Sequence, residues 1–221
     1  MDTILVDEPI AESRAERRRR RNKQALIEAA YAVISSKGID AATIQEIAGE
    51  ADVGLGTIYN YFDSKDELVV AMMNQVMDHM AQRIQMVTDT FDDPARVFAY
   101  GVRTVMDAAT TDPRWRWLIM RPEVMAVAMF RCFAPYAVRD IEIAVKAGRY
   151  HVEDAELTWQ QAAWAIVGVS IAVREERLSS DKLTNAVVNL LRMVGVDPEE
   201  ALKIAQAENP PLPKESLFRS S

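Results

Sequence analysis

The chain has 221 residues, 49% hydrophobic and 27% charged, the balance of an ordinary soluble globular protein that needs no metal or disulfide staple. A single cysteine, Cys132, excludes an intramolecular disulfide and favours a reducing compartment. The net charge of −7 argues against nucleic acid only if it is spread evenly.

It is not spread evenly. Residues 1–13 read as a disordered segment, and Met1 to Pro9 lacks the basic region and apolar run of a secretory signal. Between Arg14 and Lys23 the only acid is Glu16, against Arg14, Arg17 to Arg21 and Lys23. Such a run is either a solvated charge tract or an arm that follows a phosphate backbone or minor groove, with Arg20 and Arg21 as candidate contacts.

From there on, almost everything has helical period. Leu26, Ile27, Ala30, Val33 and Ile34 predict a first helix over Gln24–Lys37, stopped by Gly38. Thr43 and Glu46 form a capping box that opens a short second helix ending near Asp52. Val53-Gly54 supplies the turn, with glycine as the residue that accepts a left-handed backbone. A third helix spans Leu55–Phe62, with Ile58 and Phe62 on its inner face and Gly56, Thr57, Tyr59, Asn60 and Tyr61 outward. Asp63 or Ser64 caps a long helix striped by Leu68, Met72, Val76, Met80, Ile84 and Val87.

Further breaks at Asp93-Pro94, Asp112-Pro113, Arg121-Pro122, Gly148, Ser179-Ser180 and Asp197-Pro198 divide the remainder into helices over 95–109, 115–120, 123–147, 155–177, 182–194 and 199–208. Pro135 predicts a kink or a split in the third of these. No period-2 strands and no internal repeat occur, so the expected fold class is all-α. The longest uncharged stretch, Leu157–Val173, falls short of the roughly 20 apolar residues a bilayer requires. No membrane partner and a cytoplasmic location are expected.

A capped second helix, a tight turn and a short third helix with small or hydrogen-bonding outer residues meet the demands of a helix-turn-helix. At Thr43-Ile44-Gln45-Glu46-Ile47-Ala48, Ala51-Asp52-Val53-Gly54-Leu55-Gly56-Thr57-Ile58-Tyr59-Asn60-Tyr61-Phe62 and Ser64-Lys65-Asp66-Glu67-Leu68, the sequence resembles the TetR family of bacterial transcriptional regulators. The signature covers roughly Arg17 to Met80. The resemblance implies Thr43 as a phosphate contact, Leu55 and Gly56 as base probes, Thr57, Tyr59 and Tyr61 as backbone or base contacts, and Lys65 as a phosphate clamp. Many members carry histidine where this chain has Tyr61. Leu55 is apolar, which suits a thymine methyl or the groove wall.

The family resemblance further implies an effector-binding and dimerising C-terminal part. The expected layout is residues 14–80 for DNA, 81–208 for ligand and dimer contacts, and 209–221 as a mobile tail. Trp115, Trp117, Met120, Met125, Met129, Phe133, Tyr136 and Trp164 are candidates to line a pocket for a small, largely apolar or amphipathic effector, with core packing as the alternative. Arg103, His79 and His151 are candidate polar anchors. For a homodimer, Leu157–Val173 and the stripe Leu183, Val187, Leu190, Leu191 and Val194 suggest a four-helix interface, or else the subunit's own core.

Enzymatic readings find little support. Two histidines and one cysteine build no typical zinc site, and Gly54-Leu55-Gly56 follows no strand, so it is no dinucleotide loop. No metal or cofactor is expected. The reading is a sequence-specific regulator that binds a pseudo-palindromic operator and, as a repressor, is released by its effector. A DNA-binding architectural protein without a ligand is the rival.

Overall fold

A computed structural model of the chain describes residues 13–115 and 121–213. Among these the structure is helical with no strand, and the chain divides into two compact units, Met1–Val69 and Val70–Ser221.

In the first unit, α1 spans Arg14–Lys37, ten residues earlier than the apolar spacing predicts. Its start is a capping box: Ser13 Oγ accepts from the Glu16 amide (3.2 Å), and the Glu16 carboxylate accepts from the Ser13 amide (2.7 Å). The arginines are therefore helical, not an extended arm. Arginine is a good helix former, and the box satisfies two of the orphan amides at the helix start. Only the second half of α1 has a buried face, from Leu26 to Ile34.

The expected box at Thr43 is present and opens α2, Ile44–Glu50. The following turn differs from expectation. Gly54 has φ −72°, whereas Asp52 takes the left-handed conformation at φ 52°. The Val53 amide donates to Ala48 and the Asp52 amide to Gly49, the two bonds of a Schellman motif. Aspartate is among the few side-chain-bearing residues that adopt this backbone readily. Helix α3 is Leu55–Tyr59, one turn shorter than expected, although the Tyr61 and Phe62 amides still reach back to the Ile58 carbonyl. Ile58 and Phe62 are fully buried, and each such side chain contributes roughly 1.5–3 kcal/mol. Helix α4 spans Lys65–Thr88. Of its two candidate caps, Ser64 acts, its hydroxyl accepting from the Glu67 amide.

The second unit continues with α5 (Pro94–Thr111), a short 3-10 turn (Pro113–Trp115), α6 (Pro122–Lys146), α7 (Ala155–Arg174), α8 (Lys182–Met193) and α9 (Pro198–Gln206). Helix α6 runs through Pro135 without splitting. That proline is exposed, so the carbonyl it leaves without a helical partner lies toward water. Helix α8 packs on α5 and α9, and Leu183, Val187, Leu190, Leu191 and Val194 are all buried within the subunit. That stripe belongs to the subunit's own core and is not available for a four-helix dimer interface.

Arg149 ties three segments together. Its guanidinium reaches Asp93, the N-cap of α5, at 2.9 and 3.2 Å, and Glu200 of α9 at 2.9 and 3.2 Å. Past α9 the Tyr100 hydroxyl donates to the Pro210 carbonyl and Arg83 Nε to the Pro213 carbonyl, so the start of the tail is pinned. No helix among the described residues is long and apolar enough to cross a membrane.

Candidate nucleic-acid interface and internal cavity

Helix α3 is locked from below and open above. Ile58 sits in the core, while Leu55 is 41% exposed, Tyr59 is 56% exposed, and Gly56 and Asn60 face outward beside them. Thr57 lies half-buried at the edge of this face. A Cβ built at Gly56 meets nothing within 4 Å, and its φ is unremarkable, so packing does not demand glycine there.

Tyr61, just past the helix, is shared with α1. Asn22 Nδ2 donates to its hydroxyl oxygen (3.2 Å), and the Arg19 guanidinium stands 5.7 Å from its ring centre. The oxygen accepts from Asn22, so the phenolic proton remains to be donated outward. Lys23 likewise sits over the Phe62 ring at 5.3 Å. These contacts bring the exposed basic half of α1, with Arg20 and Arg21, next to the α3 turn.

Thr43 and Lys65 are less free than their residue types suggest. Thr43 Oγ1 accepts from the Glu46 amide and donates to the Glu46 carboxylate (3.0 Å). A hydrogen bond from Lys37, followed by those from Thr43, holds the Glu46 carboxyl at about 2. A phosphate contact through Thr43 thus requires its single hydroxyl proton to leave a carboxylate. Lys65 Nζ donates to the Ile39 carbonyl, tying the loop after α1 to the start of α4 and keeping two of its three protons for another acceptor.

In the second unit, α4, α5, α6, α7 and the segment between α6 and α7 line a partly open cavity of about 70 Å³. Its wall is mostly apolar, with Phe98, Phe133, Tyr136, Tyr150 and Trp159 contributing rings. Phe98 meets Tyr150 edge-on at 6.4 Å, and Phe133 lies nearly parallel to Trp159 at 6.4 Å. The Tyr150 hydroxyl donates to the Pro94 carbonyl, and burial pushes its phenol well above the usual range, so it stays neutral. Asp140 is the acid of the wall, and Arg139 pairs with its Oδ1 at 2.7 Å.

Two family descriptions match this chain: the tetR family of bacterial regulatory proteins over residues 26–72, and the tetracyclin repressor-like C-terminal domain over residues 93–207. The chain belongs to the TetR family. It is a helix-turn-helix transcriptional regulator, not an enzyme. Among curated relatives, the HTH-type regulator YvdT of Bacillus subtilis is 38% identical over 60 residues, 27% of this chain and 31% of that protein. The nicotine-responsive repressor HdnoR of Paenarthrobacter nicotinovorans is 34% identical over 80 residues, 36% of this chain and 41% of that protein. The matches therefore span well under half the length of these relatives. A crystal structure of RolR with resorcinol superposes with TM-score 0.81 at 27% identity, covering 89% of this chain and 99% of that one.

In this TetR-family regulator, only some of the effector candidates come together. Phe133 and Tyr136 line the cavity. Met125 and Met129 are fully buried elsewhere along α6, and Trp115 is buried away from the cavity wall. Arg103 is engaged by Asp107 and the Thr184 hydroxyl, each at 2.9 Å. Trp164 is 50% exposed on the outer side of α7, edge-on to Phe130, and the His151 ring packs against Gly195. Trp117 and Met120 lie outside the described residues.

Sequence reading missed Asn22, Phe98, Tyr150, Asp140 and Trp159. The signal for Asn22 was its place one turn from Arg19 on a helix already open at Ser13. The cavity residues carry no local signal, since they converge from separate helices and the segment before α7.

Proposed function

We propose that this regulator is a homodimeric repressor that holds a pseudo-palindromic operator and lets go when a small, largely apolar or amphipathic effector fills the cavity of its second unit. The observation that carries the DNA half is the exposed α3 face over a fully buried Ile58, flanked by the helical arginines of α1. Leu55, Gly56, Tyr59 and Asn60 enter the major groove, with Thr57 and Tyr61 at its edge. Thr43, Lys65, Arg20 and Arg21 hold phosphates and fix register.

The effector half is supported by the cavity and by two relatives. HdnoR is nicotine-responsive, and RolR has been crystallised with resorcinol. Helix α4 contributes Ala81, Ile84, Gln85 and Thr88 to the cavity wall, and its first residues belong to the DNA-binding unit. That shared helix supplies a covalent route from one unit to the other. The outer face of α7, with exposed Leu157 and Trp164, supports a two-fold contact.

The purified protein should shift fragments upstream of its own gene at two protomers per site. The log–log salt slope should be steep, near −0.9 for each phosphate neutralised. Salt-insensitive binding, or no binding to any such fragment, overturns the reading. Release of the bound fragment by a small molecule separates a sensor from a purely architectural protein.

A further inference from the structure

The Trp159 indole is 5% exposed, and its N–H finds no hydrogen-bond acceptor. A buried donor left unmade costs about 1–3 kcal/mol, and an indole N–H can only donate. Trp159 is also part of the wall of the cavity between α4, α5, α6 and α7. Around it the surface is built from rings and aliphatic groups. Among the polar groups of the wall, Thr88 donates to its own helix, Tyr150 donates to Pro94, and Gln85 Nε2 donates to Asp89.

Charge narrows the occupant further. None of the described residues lining the cavity is basic, and Asp140 places a carboxylate there with Arg139 already on its Oδ1. A second carboxylate brought into this wall would lie uncompensated in an apolar setting beside a like charge, which is strongly unfavourable. Size narrows it again. A cavity of about 150 Å³ admits a benzene ring; this one, at about 70 Å³, must widen for one ring and is far from room for a long chain. Aromatic walls favour a flat partner, since ring pairs add about 0.5–1.5 kcal/mol beyond area burial.

We infer that the effector is a neutral single-ring compound carrying a hydrogen-bond acceptor, and that Trp159 Nε1–H is the donor that selects it. The inference rests on the cavity being the effector site. Carboxylate-bearing rings and purely hydrocarbon rings are the classes this wall discriminates against, the first by charge and the second by leaving the indole unsatisfied.

The test uses the full-length protein and three probes of nearly equal size: phenol, toluene and benzoate, with affinities from calorimetry. Phenol and toluene differ only by a hydroxyl in place of a methyl. Trp159→Phe keeps a ring and deletes the donor. The ratio of phenol to toluene affinity should fall on the order of tenfold in the variant, the worth of one buried hydrogen bond. Toluene binding should survive, which also reports that the variant is folded. Benzoate should bind the wild type at least tenfold more weakly than phenol.

An unchanged phenol-to-toluene ratio in Trp159→Phe, or benzoate binding as tight as phenol, overturns the inference and leaves the effector cavity standing. If none of the three binds the wild type, the cavity reading falls with it.

Discussion

Gly56 and Gly195 show how differently two glycines are constrained. A Cβ at Gly195 would come within 3.0 Å of His151, and its φ of 95° is left-handed, so the fold requires glycine there. Gly56 has open space and an ordinary backbone. Gly56→Ala should therefore stabilise the protein by about 0.5–1 kcal/mol through helix propensity, seen as a higher melting temperature. The same methyl sits on the exposed face proposed to meet DNA and should weaken operator binding, read by fluorescence anisotropy. Unchanged operator affinity would remove Gly56 from the interface. Tyr61 gains from the structure what residue type alone did not provide: Asn22 orients its hydroxyl, so it donates without needing the charge a histidine would carry.

At the scale of the element, α1 is the instructive case. Its first ten residues have no apolar face, and hydrophobic periodicity is blind to a helix that buries nothing. Ser13 and Glu16 nevertheless spell the same capping signature that was legible at Thr43 and Glu46. Ser13→Ala should remove about 1 kcal/mol from the helix start. Amide exchange should quicken at Glu16 and Arg17, with little change beyond Leu26, and operator affinity should drop as the arginines lose their spacing. Uniform exchange along α1 would show that the cap does not govern this end. The α2–α3 turn teaches the converse. A nearby glycine, Gly54, suggested itself as the left-handed residue, yet the Schellman bonds centre on Asp52, two residues earlier.

At the scale of the second unit, Arg149 joins α5, α9 and the segment between α6 and α7. Partial burial acts to raise the Asp93 carboxyl, and the Arg149 guanidinium, the Ala95 amide and the Arg96 charge together outweigh it, leaving the net shift downward. Because the folded value is depressed, the stabilisation is present above the unfolded value of about 3.9 and is lost as pH falls through the folded one. Arg149→Ala should cost about 1–2 kcal/mol at neutral pH, the pair being only partly shielded from solvent. The gap between variant and wild type should close below about pH 4, as followed by urea unfolding across pH. A gap that persists in acid would assign the loss to packing instead of charge. The pinned start of the tail belongs to this scale too, since Arg83 and Tyr100 lie more than a hundred residues before the carbonyls they hold.

By itself, the sequence determined what is local: the helical class, the caps at Thr43, Asp93 and Asp197, the buried Ile58 and Phe62, and the outward face of α3. Each depends on neighbours within one or two helical turns, where spacing and side-chain chemistry suffice. The tertiary structure decided what depends on convergence. It put the α8 stripe inside the subunit, because α5 and α9 cover it. It chose Phe133 and Tyr136 over Met125, Met129 and Arg103 for the cavity wall, and added Trp159 from a helix whose apolar stretch suited either a dimer contact or the subunit's own core. Any apolar stripe can face a core, a cavity or a partner, and only the positions of the other helices decide which.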